Sequence, residues 1–156
     1  MTKQIFVTGA AGFIGFHLAK HLAIRGDRVI GLDNFNDYYD PSLKRARAKE
    51  LGKVGVSVIE GDLADTSLLR KIVKEYRVSH ICHLAAQAGV RYSLEQPQQY
   101  IDSNVTGFLN ILELCRQNPK IPLVYASSSS VYGLNTKTPY SVQDQTDHQA
   151  SLYGVT

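Results

Sequence analysis

Apolar and polar positions along the chain follow two different periods in turn. Five short apolar runs have the length and residue types of strands, and they cover residues 5–7, 28–32, 56–60, 78–84 and 123–126. Between them lie segments with the spacing of amphipathic helices, at residues 13–24, 41–50, 66–76 and 97–117. The pattern therefore predicts strands and helices in alternation.

Strands that alternate with helices and are nearly continuously apolar predict a parallel sheet with helices on both faces. With right-handed crossovers, the expected fold is an α/β doubly wound, Rossmann-type sheet of about five strands in the order 3-2-1-4-5. Ligands of such sheets bind at the carboxyl ends of the strands. In the longest predicted helix, one apolar face is expected to contain Val105, Phe108, Leu109, Leu112 and Cys115.

A glycine-rich turn joins the first strand to the first helix, and residues 8–15 read TGAAGFIG. Strand, glycine turn and helix in this order are the context of a dinucleotide-binding site. Gly9 allows a tight turn, Gly12 lets backbone amides approach a diphosphate, and Gly15 lets the helix pack closely on the sheet. The spacing G-x-x-G-x-x-G differs from the commonest fingerprint, G-x-G-x-x-G.

Length and composition add limits to this picture. A chain of 156 residues with 44% hydrophobic residues has room for one domain with a core. The net charge of +3 is too small to indicate a nucleic acid or a membrane as partner. The basic cluster at residues 44–49 is interpreted as a solvated helix face, with a site for a nucleotide phosphate as the alternative.

Cysteine usage and the beginning of the sequence indicate a reducing compartment. Cys82 and Cys115 lie in separate apolar runs and are expected to be buried free thiols, and no metal-ligand spacing occurs, so no metal is expected. The sequence begins with a short polar stretch and a strand, without the pattern of a signal peptide, and no apolar run reaches the ~18 residues of a membrane span. The expected location is the cytoplasm.

Two acidic residues end predicted strands. Asp33 follows the second strand and is expected to bind the hydroxyls of an adenosine ribose, which favours NAD over NADP because a carboxylate repels a 2′-phosphate. The alternative is an acidic residue in a solvated loop. Asp62 follows the third strand, where it could contact the adenine ring or cap the next helix.

These motifs together resemble the extended short-chain dehydrogenase/reductase family. The resemblance covers the whole chain and includes GDL at 61–63, HLAA at 83–86, DSNVTG at 102–107 and SSSSVYG at 127–133. Within that family, GLDNFNDYYD at 31–40 and AAQAGVRYSL at 85–94 are similar to the UDP-glucuronate 4-epimerases. Such enzymes use NAD to oxidise and then reduce C4 of the sugar, usually to supply surface polysaccharide.

The resemblance implies a role for individual residues. Tyr153 matches the catalytic tyrosine that takes the proton from the 4-hydroxyl, and Ser128 matches the serine that binds the reacting oxygen. Ser127, Ser129, Gln87 and Arg91 are the further candidates for substrate contact, although Arg91 could equally be a surface arginine. The implied cofactor-binding residues are Gly9, Ala11, Gly12, Phe13, Ile14, Gly15, Asp33, Asn34, Asp62, Leu63, Leu84, Ala85, Ala86, Asn104 and Tyr153.

Two departures refine this expectation. Sugar-nucleotide 4,6-dehydratases resemble this chain, but they have an Asp-Glu pair where this sequence has Ser129 and Ser130, so elimination has no obvious acid and base. The family's lysine of the Tyr-x-x-x-Lys pattern would follow Thr156, the last residue.

The chain is therefore expected to be an incomplete NAD-binding domain over residues 1–156, without a substrate domain, and inactive alone; the full-length protein is expected to be a homodimer. The alternatives are a stand-alone NAD-binding module and another nucleotide-sugar epimerase.

Overall fold

The computed structural model, which describes residues 2–156, confirms a doubly wound parallel sheet. Its five strands lie in the order β3-β2-β1-β4-β5, as predicted, and all neighbours are parallel. The strands are β1 (Gln4–Thr8), β2 (Arg28–Asp33), β3 (Ser57–Glu60), β4 (His80–His83) and β5 (Leu123–Tyr125). The order reverses between β1 and β4, which places a crevice at the carboxyl ends of these two strands.

The helices are α1 (Phe13–Ile24), α2 (Pro41–Lys53), α3 (Thr66–Glu75), α4 (Val90–Glu95), α5 (Pro97–Tyr100), α6 (Gly107–Gln117) and α7 (Leu152–Val155). The four predicted segments correspond to α1, α2, α3 and the stretch from α5 to α6, whereas the short helices α4 and α7 were not predicted. Two of the predicted helices begin at capping aspartates: Asp40 accepts the backbone N–H of Ser42 at 2.8 Å, and Asp65 accepts that of Leu68 at 2.9 Å. A 3₁₀-helix (Ser129–Tyr132) follows β5.

Alternation along β1 divides the core into two layers. Ile5 and Val7 point to the face that α1 and α2 cover, where they pack with Ala19, Leu22 and Leu51. Phe6 points to the opposite face, which α3 and α6 cover with apolar side chains that include Leu69, Ile72, Ile111 and Leu114. Both faces of the central strands are therefore removed from water, as parallel sheets require.

The long predicted helix contains a π-helical turn (Ile101–Thr106) between α5 and α6. The buried face of this segment includes Asn104, Ile111 and Leu114, whereas Leu109 and Val105 are 55% and 47% exposed. Leu112 is also exposed, and only Phe108 and Cys115 of the predicted apolar face pack on the core. The predicted face was therefore wrong, because this helix has apolar residues on two sides.

Cys82 and Cys115 are half-buried free thiols, and burial raises the pKa of both. Among the described residues, no group of three His, Cys, Asp or Glu side chains is placed to hold a metal. Within the same residues, none of the helices combines the length and the apolar character needed to cross a membrane.

Thr8 and His83 fix the end of β1 against the end of β4. The Thr8 hydroxyl oxygen accepts the backbone N–H groups of Leu84 and Ala85, both at 3.1 Å. Because its lone pairs are used in this way, its hydrogen is left to donate to Nδ1 of His83, 2.8 Å away. The neutral imidazole therefore carries its proton on Nε2, and the ring stacks on Phe108 with centroids 5.3 Å apart.

The stability of the fold should depend on pH through His83. Burial lowers its pKa to about 4 from the ordinary value of 6.5. Between these pH values the unfolded chain binds more protons than the folded chain, so the stabilisation is complete above pH 6.5 and is lost as the pH falls towards 4. We expect the free energy of unfolding in urea to fall by about 2 kcal/mol between about pH 7 and about pH 4.5. In the variant His83→Gln, the free energy of unfolding should no longer show this fall between the two pH values. An equal fall in the variant would exclude His83 as its source.

Two glycine substitutions should have opposite effects on stability. A Cβ at Gly15 would fall on the carbonyl of Gly9 and lie 3.0 Å from the Cα of Ala10, so Gly15→Ala should lower the free energy of unfolding by about 1–3 kcal/mol. Gly52 lies in α2 with no atom within 4 Å of its added Cβ, so Gly52→Ala should raise it by up to ~1 kcal/mol. Thermal unfolding followed by circular dichroism measures both. Equal effects of the two substitutions would show that the close approach at Gly15 has little energetic weight.

Candidate functional site

A cavity of ≈ 540 Å³ opens at the carboxyl ends of β1, β2 and β4, within the size range of small-molecule sites. Most of the residues that the sequence nominated for cofactor binding line it, together with Gln87. They are Gly9, Gly12, Phe13, Ile14, Gly15, Asp33, Asn34, Asp62, Leu63, Leu84, Ala85 and Ala86. The candidates that do not line it are Ala11, Arg91, Asn104, Ser127, Ser128, Ser129 and Tyr153.

The glycine turn forms one wall of the cavity. Gly9 has a φ of +68°, and a Cβ there would lie 2.8 Å from the backbone nitrogen of Ala85, so only glycine fits between the turn and the loop after β4. Gly12 precedes α1 and offers no side-chain cap, and the first helical hydrogen bond runs from Phe16 to the Gly12 carbonyl at 3.0 Å. The amides of the first turn and the positive end of the helix dipole are therefore available to an anion.

Asp33 connects β2 to the glycine turn. It is only 7% exposed, and its Oδ2 accepts the backbone N–H of Ala11 at 3.0 Å while Oδ1 accepts that of Phe35 at 2.9 Å. The Nζ of Lys44 lies 4.0 Å from Oδ1. The carboxylate is thus fixed in the cavity wall by two backbone amides and lies beside a cation, which excludes the alternative of a solvated loop residue.

Asn34 and Asp62 join the ends of β2 and β3. The Asn34 amide donates to Oδ2 of Asp62 at 2.9 Å, and Oδ1 of Asp62 accepts the N–H of Ala64. The side-chain cap of α3 is Asp65, so the alternative of Asp62 as helix cap is wrong. Asp62 instead lines the cavity beside Leu63.

Asn104 and Gln87 hold the loop that follows β4. Asn104 lies in the π-helical turn. Its side-chain Oδ1 accepts the backbone N–H of Gln87 at 2.8 Å, and its Nδ2 donates to the backbone carbonyl of Gln87 at 3.0 Å. Asn104 therefore acts on the cavity through the backbone of Gln87. The Gln87 side chain is 2% exposed; its Oε1 accepts from Asn36 at 3.2 Å, but its Nε2 has no hydrogen-bond partner in residues 2–156. Most buried polar groups in folded proteins have a partner, so this donor is unusual.

The basic cluster of α2 is divided between two environments. Arg45 lies outside the cavity, where it forms an ion pair with Glu60 at 2.7 Å and covers the ring of Phe35. Lys44 and Arg47, three residues apart and on the same side of α2, line the cavity, and Lys44 is only 5% exposed. Burial lowers the pKa of Lys44, an effect that nearby Asp33 opposes.

The interpretation of this cluster as a solvated face was therefore wrong for Lys44 and Arg47. Their spacing of three residues is the one feature of the sequence that could have distinguished them from Arg45, because residues at i and i+3 share a face of a helix.

Of the residues nominated for catalysis and substrate contact, only Gln87 lines the cavity in the described part of the chain, and the others lie beyond it. Ser128 precedes the 3₁₀-helix, and its hydroxyl accepts the N–H of Ser130 at 3.2 Å; Ser127 and Ser129 are exposed. Tyr153 lies in α7, which packs against the 3₁₀-helix, and its ring meets that of Tyr100 edge-on at 6.0 Å. Arg91 is exposed at the start of α4. No hydrogen bond joins Ser128 to Tyr153 in the described part of the chain.

Comparisons with known proteins agree with this architecture. Residues 6–156 match the sequence profile of the family described as GDP-mannose 4,6 dehydratase. UDP-glucuronate 4-epimerase 4 of Arabidopsis thaliana is 59% identical over 153 residues, which are 97% of this chain and 35% of that protein. The chain thus spans about a third of the length of this relative and of UDP-glucuronate 4-epimerase 3 from the same organism.

Solved structures show the same fold. A variant of UDP-glucuronic acid 4-epimerase from Bacillus cereus, in complex with UDP-4-deoxy-4-fluoro-glucuronic acid and NAD, superposes with a TM-score of 0.87 at 32% identity. The match covers 97% of this chain and 48% of that one. UDP-glucose 4-epimerase from Bifidobacterium longum, in complex with NAD⁺ and UDP, gives 0.85 at 28% identity and covers 98% of this chain and 45% of that one. From its fold, its glycine turn and the profile match over residues 6–156, the chain belongs to the GDP-mannose 4,6-dehydratase family.

Proposed function

We propose that this chain is the NAD-binding part of a UDP-glucuronate 4-epimerase. The observation that carries the proposal is that the open amino terminus of α1, the glycine turn and Asp33 line one cavity. The relative named UDP-glucuronate 4-epimerase 4, at 59% identity, supports the choice of substrate. The proposed reaction converts UDP-glucuronate to UDP-galacturonate.

The residues of the cavity fit a dinucleotide. The first turn of α1 suits the diphosphate, and the Asp33 carboxylate suits the adenosine ribose hydroxyls. Asp62 and Leu63 offer a polar and an apolar contact for the adenine ring at the end of β3. Leu84, Ala85 and Ala86 then form the wall towards the nicotinamide end.

In the proposed mechanism, Tyr153 accepts the proton of the sugar's 4-hydroxyl and returns it after the sugar has turned over. Ser128 donates a hydrogen bond to the same oxygen. When bound, NAD would supply the hydride chemistry at C4 of the sugar. Ser127 and Ser129 contact the substrate, and Arg91 pairs with the carboxylate or the diphosphate.

The family name includes a dehydratase, but the residues of this chain favour epimerisation. Elimination of water needs an acid and a base beside the sugar, and the two residues that follow Ser128 are Ser129 and Ser130. Neither hydroxyl is a competent acid or base at neutral pH. Epimerisation at C4 needs only proton transfer by the tyrosine and hydride transfer with the cofactor.

We also propose that the full-length protein acts as a cytoplasmic homodimer in polysaccharide synthesis. The exposed apolar side chains of Val105, Leu109 and Leu112 on one side of the long helical segment support self-association.

Cofactor binding tests the proposal on the 156-residue chain itself. Isothermal titration should give a dissociation constant for NAD⁺ at least ~10-fold lower than that for NADP⁺, since the Asp33 carboxylate repels a 2′-phosphate. Asp33→Asn should remove most of this preference. Asp147→Asn, which removes an exposed carboxylate elsewhere, should leave it unchanged. The proposal fails if the wild-type chain binds neither cofactor.

Catalysis by Tyr153 can be tested in a full-length protein that contains these residues. Tyr153→Phe should lower kcat by ~100-fold or more, because the proton acceptor is lost while the ring remains. Tyr140→Phe is the matched control, since Tyr140 only stacks on Tyr132. Chromatographic separation of UDP-glucuronate and UDP-galacturonate measures the rates. Equal rates in the two variants would contradict the role of Tyr153.

A further inference from the structure

We propose that Arg47 binds the diphosphate of the dinucleotide; this rests on the proposed function of the cavity. Its side chain crosses from α2 to the turn before α1. There Nη1 donates to the Ala11 carbonyl at 3.3 Å and to the Tyr39 hydroxyl at 3.0 Å. The guanidinium carbon lies 5.9 Å from the ring centre of Phe13, the first residue of α1. The cation is thus held at the end of the cavity that suits phosphate groups.

The electrostatic environment of Arg47 favours a bound anion. The first turn of α1 contains no acidic residue, and Gly12 provides no side-chain cap, so the helix presents only positive partial charge. Arg47 forms no ion pair in the described part of the chain, unlike Arg45 with Glu60 and Arg116 with Glu113. Two positive groups side by side repel each other unless a negative group lies between them.

Arg47 is also the cation that remains available in this wall. The Nζ of Lys44 donates to the side-chain and backbone oxygens of Asn36 and lies 4.0 Å from Asp33, so its charge is largely used within the protein. Of the three guanidinium nitrogens of Arg47, Nη1 forms both hydrogen bonds, and Nε and Nη2 form none in residues 2–156. Two parallel donors in one plane match two oxygens of a phosphate.

Because Ala11 and Tyr39 orient the guanidinium before any ligand binds, little side-chain entropy is lost on binding. The surrounding wall also excludes part of the water that would screen the charge. An arginine held in this manner adds affinity for any ligand that carries a diphosphate. It does not discriminate between sugars, or between NAD and NADP.

Titrations of the chain with NAD⁺, ADP and adenosine test this role. Arg47→Gln should weaken the binding of NAD⁺ and ADP by ~10-fold or more, because a charge-assisted pair of hydrogen bonds is lost. Adenosine, which lacks phosphate, should bind with unchanged affinity in an NMR titration. Arg45→Gln removes the same charge from the same helix outside the cavity, and it should change none of the three affinities by more than about twofold.

The outcomes separate this inference from the proposed function. Equal effects of Arg47→Gln and Arg45→Gln on NAD⁺ would overturn the role of Arg47 while leaving the cofactor site intact. A matching loss of adenosine affinity would show that Arg47 supports the wall structurally and does not bind phosphate. If the wild-type chain binds neither NAD⁺ nor ADP, the proposed function fails and the role of Arg47 fails with it.

Discussion

The close approach between α1 and the glycine turn is the constraint on which the site depends. Gly15 of the helix lies directly against the carbonyl of Gly9, and Gly9 in turn lies against the backbone at Ala85. With any side chain at these two positions, the helix would move away from the sheet and its amino terminus would leave the cavity. The glycine pattern of residues 8–15 is therefore first a steric requirement of the fold, and its suitability for binding follows from that requirement.

Hydrogen bonds then fix the three strand ends around that turn. Asp33, at the end of β2, accepts the backbone N–H of Ala11. Thr8, at the end of β1, accepts the backbone N–H groups of Leu84 and Ala85. Each bond joins a side chain at a strand end to the backbone of a neighbouring loop. The three strand ends and the loops that follow them are consequently held in a fixed arrangement around the cavity.

Sequence reasoning predicted the fold, which the structure confirms, and most of the residues that line the cavity, because both depend on local patterns. Strand and helix periods, the glycine spacing and Asp33 are readable without knowledge of neighbours. It was wrong where the answer depends on packing. Leu109 has the same apolar character as Ile111, but only the latter faces the sheet. Lys44 and Arg45 are adjacent cations, and only the position of α2 over the cavity separates a buried lysine from an exposed arginine.

The helical segment between residues 97 and 117 links the two ends of the candidate site. Asn104 reaches in two directions from the π-helical turn, to the backbone of Gln87 in the cavity wall and to the hydroxyl of Thr156 at 3.1 Å. Tyr100, one turn earlier, bonds the carbonyls of Ala88 and Gly89 and packs against Tyr153. A π-helical turn adds one residue to the helical repeat, which rotates Asn104 and Tyr100 relative to the face that packs on the core. Because of that rotation, the same helical segment packs on the core at Ile111 and, a few residues earlier, fixes the spacing between the loop after β4 and the segment that contains Tyr153.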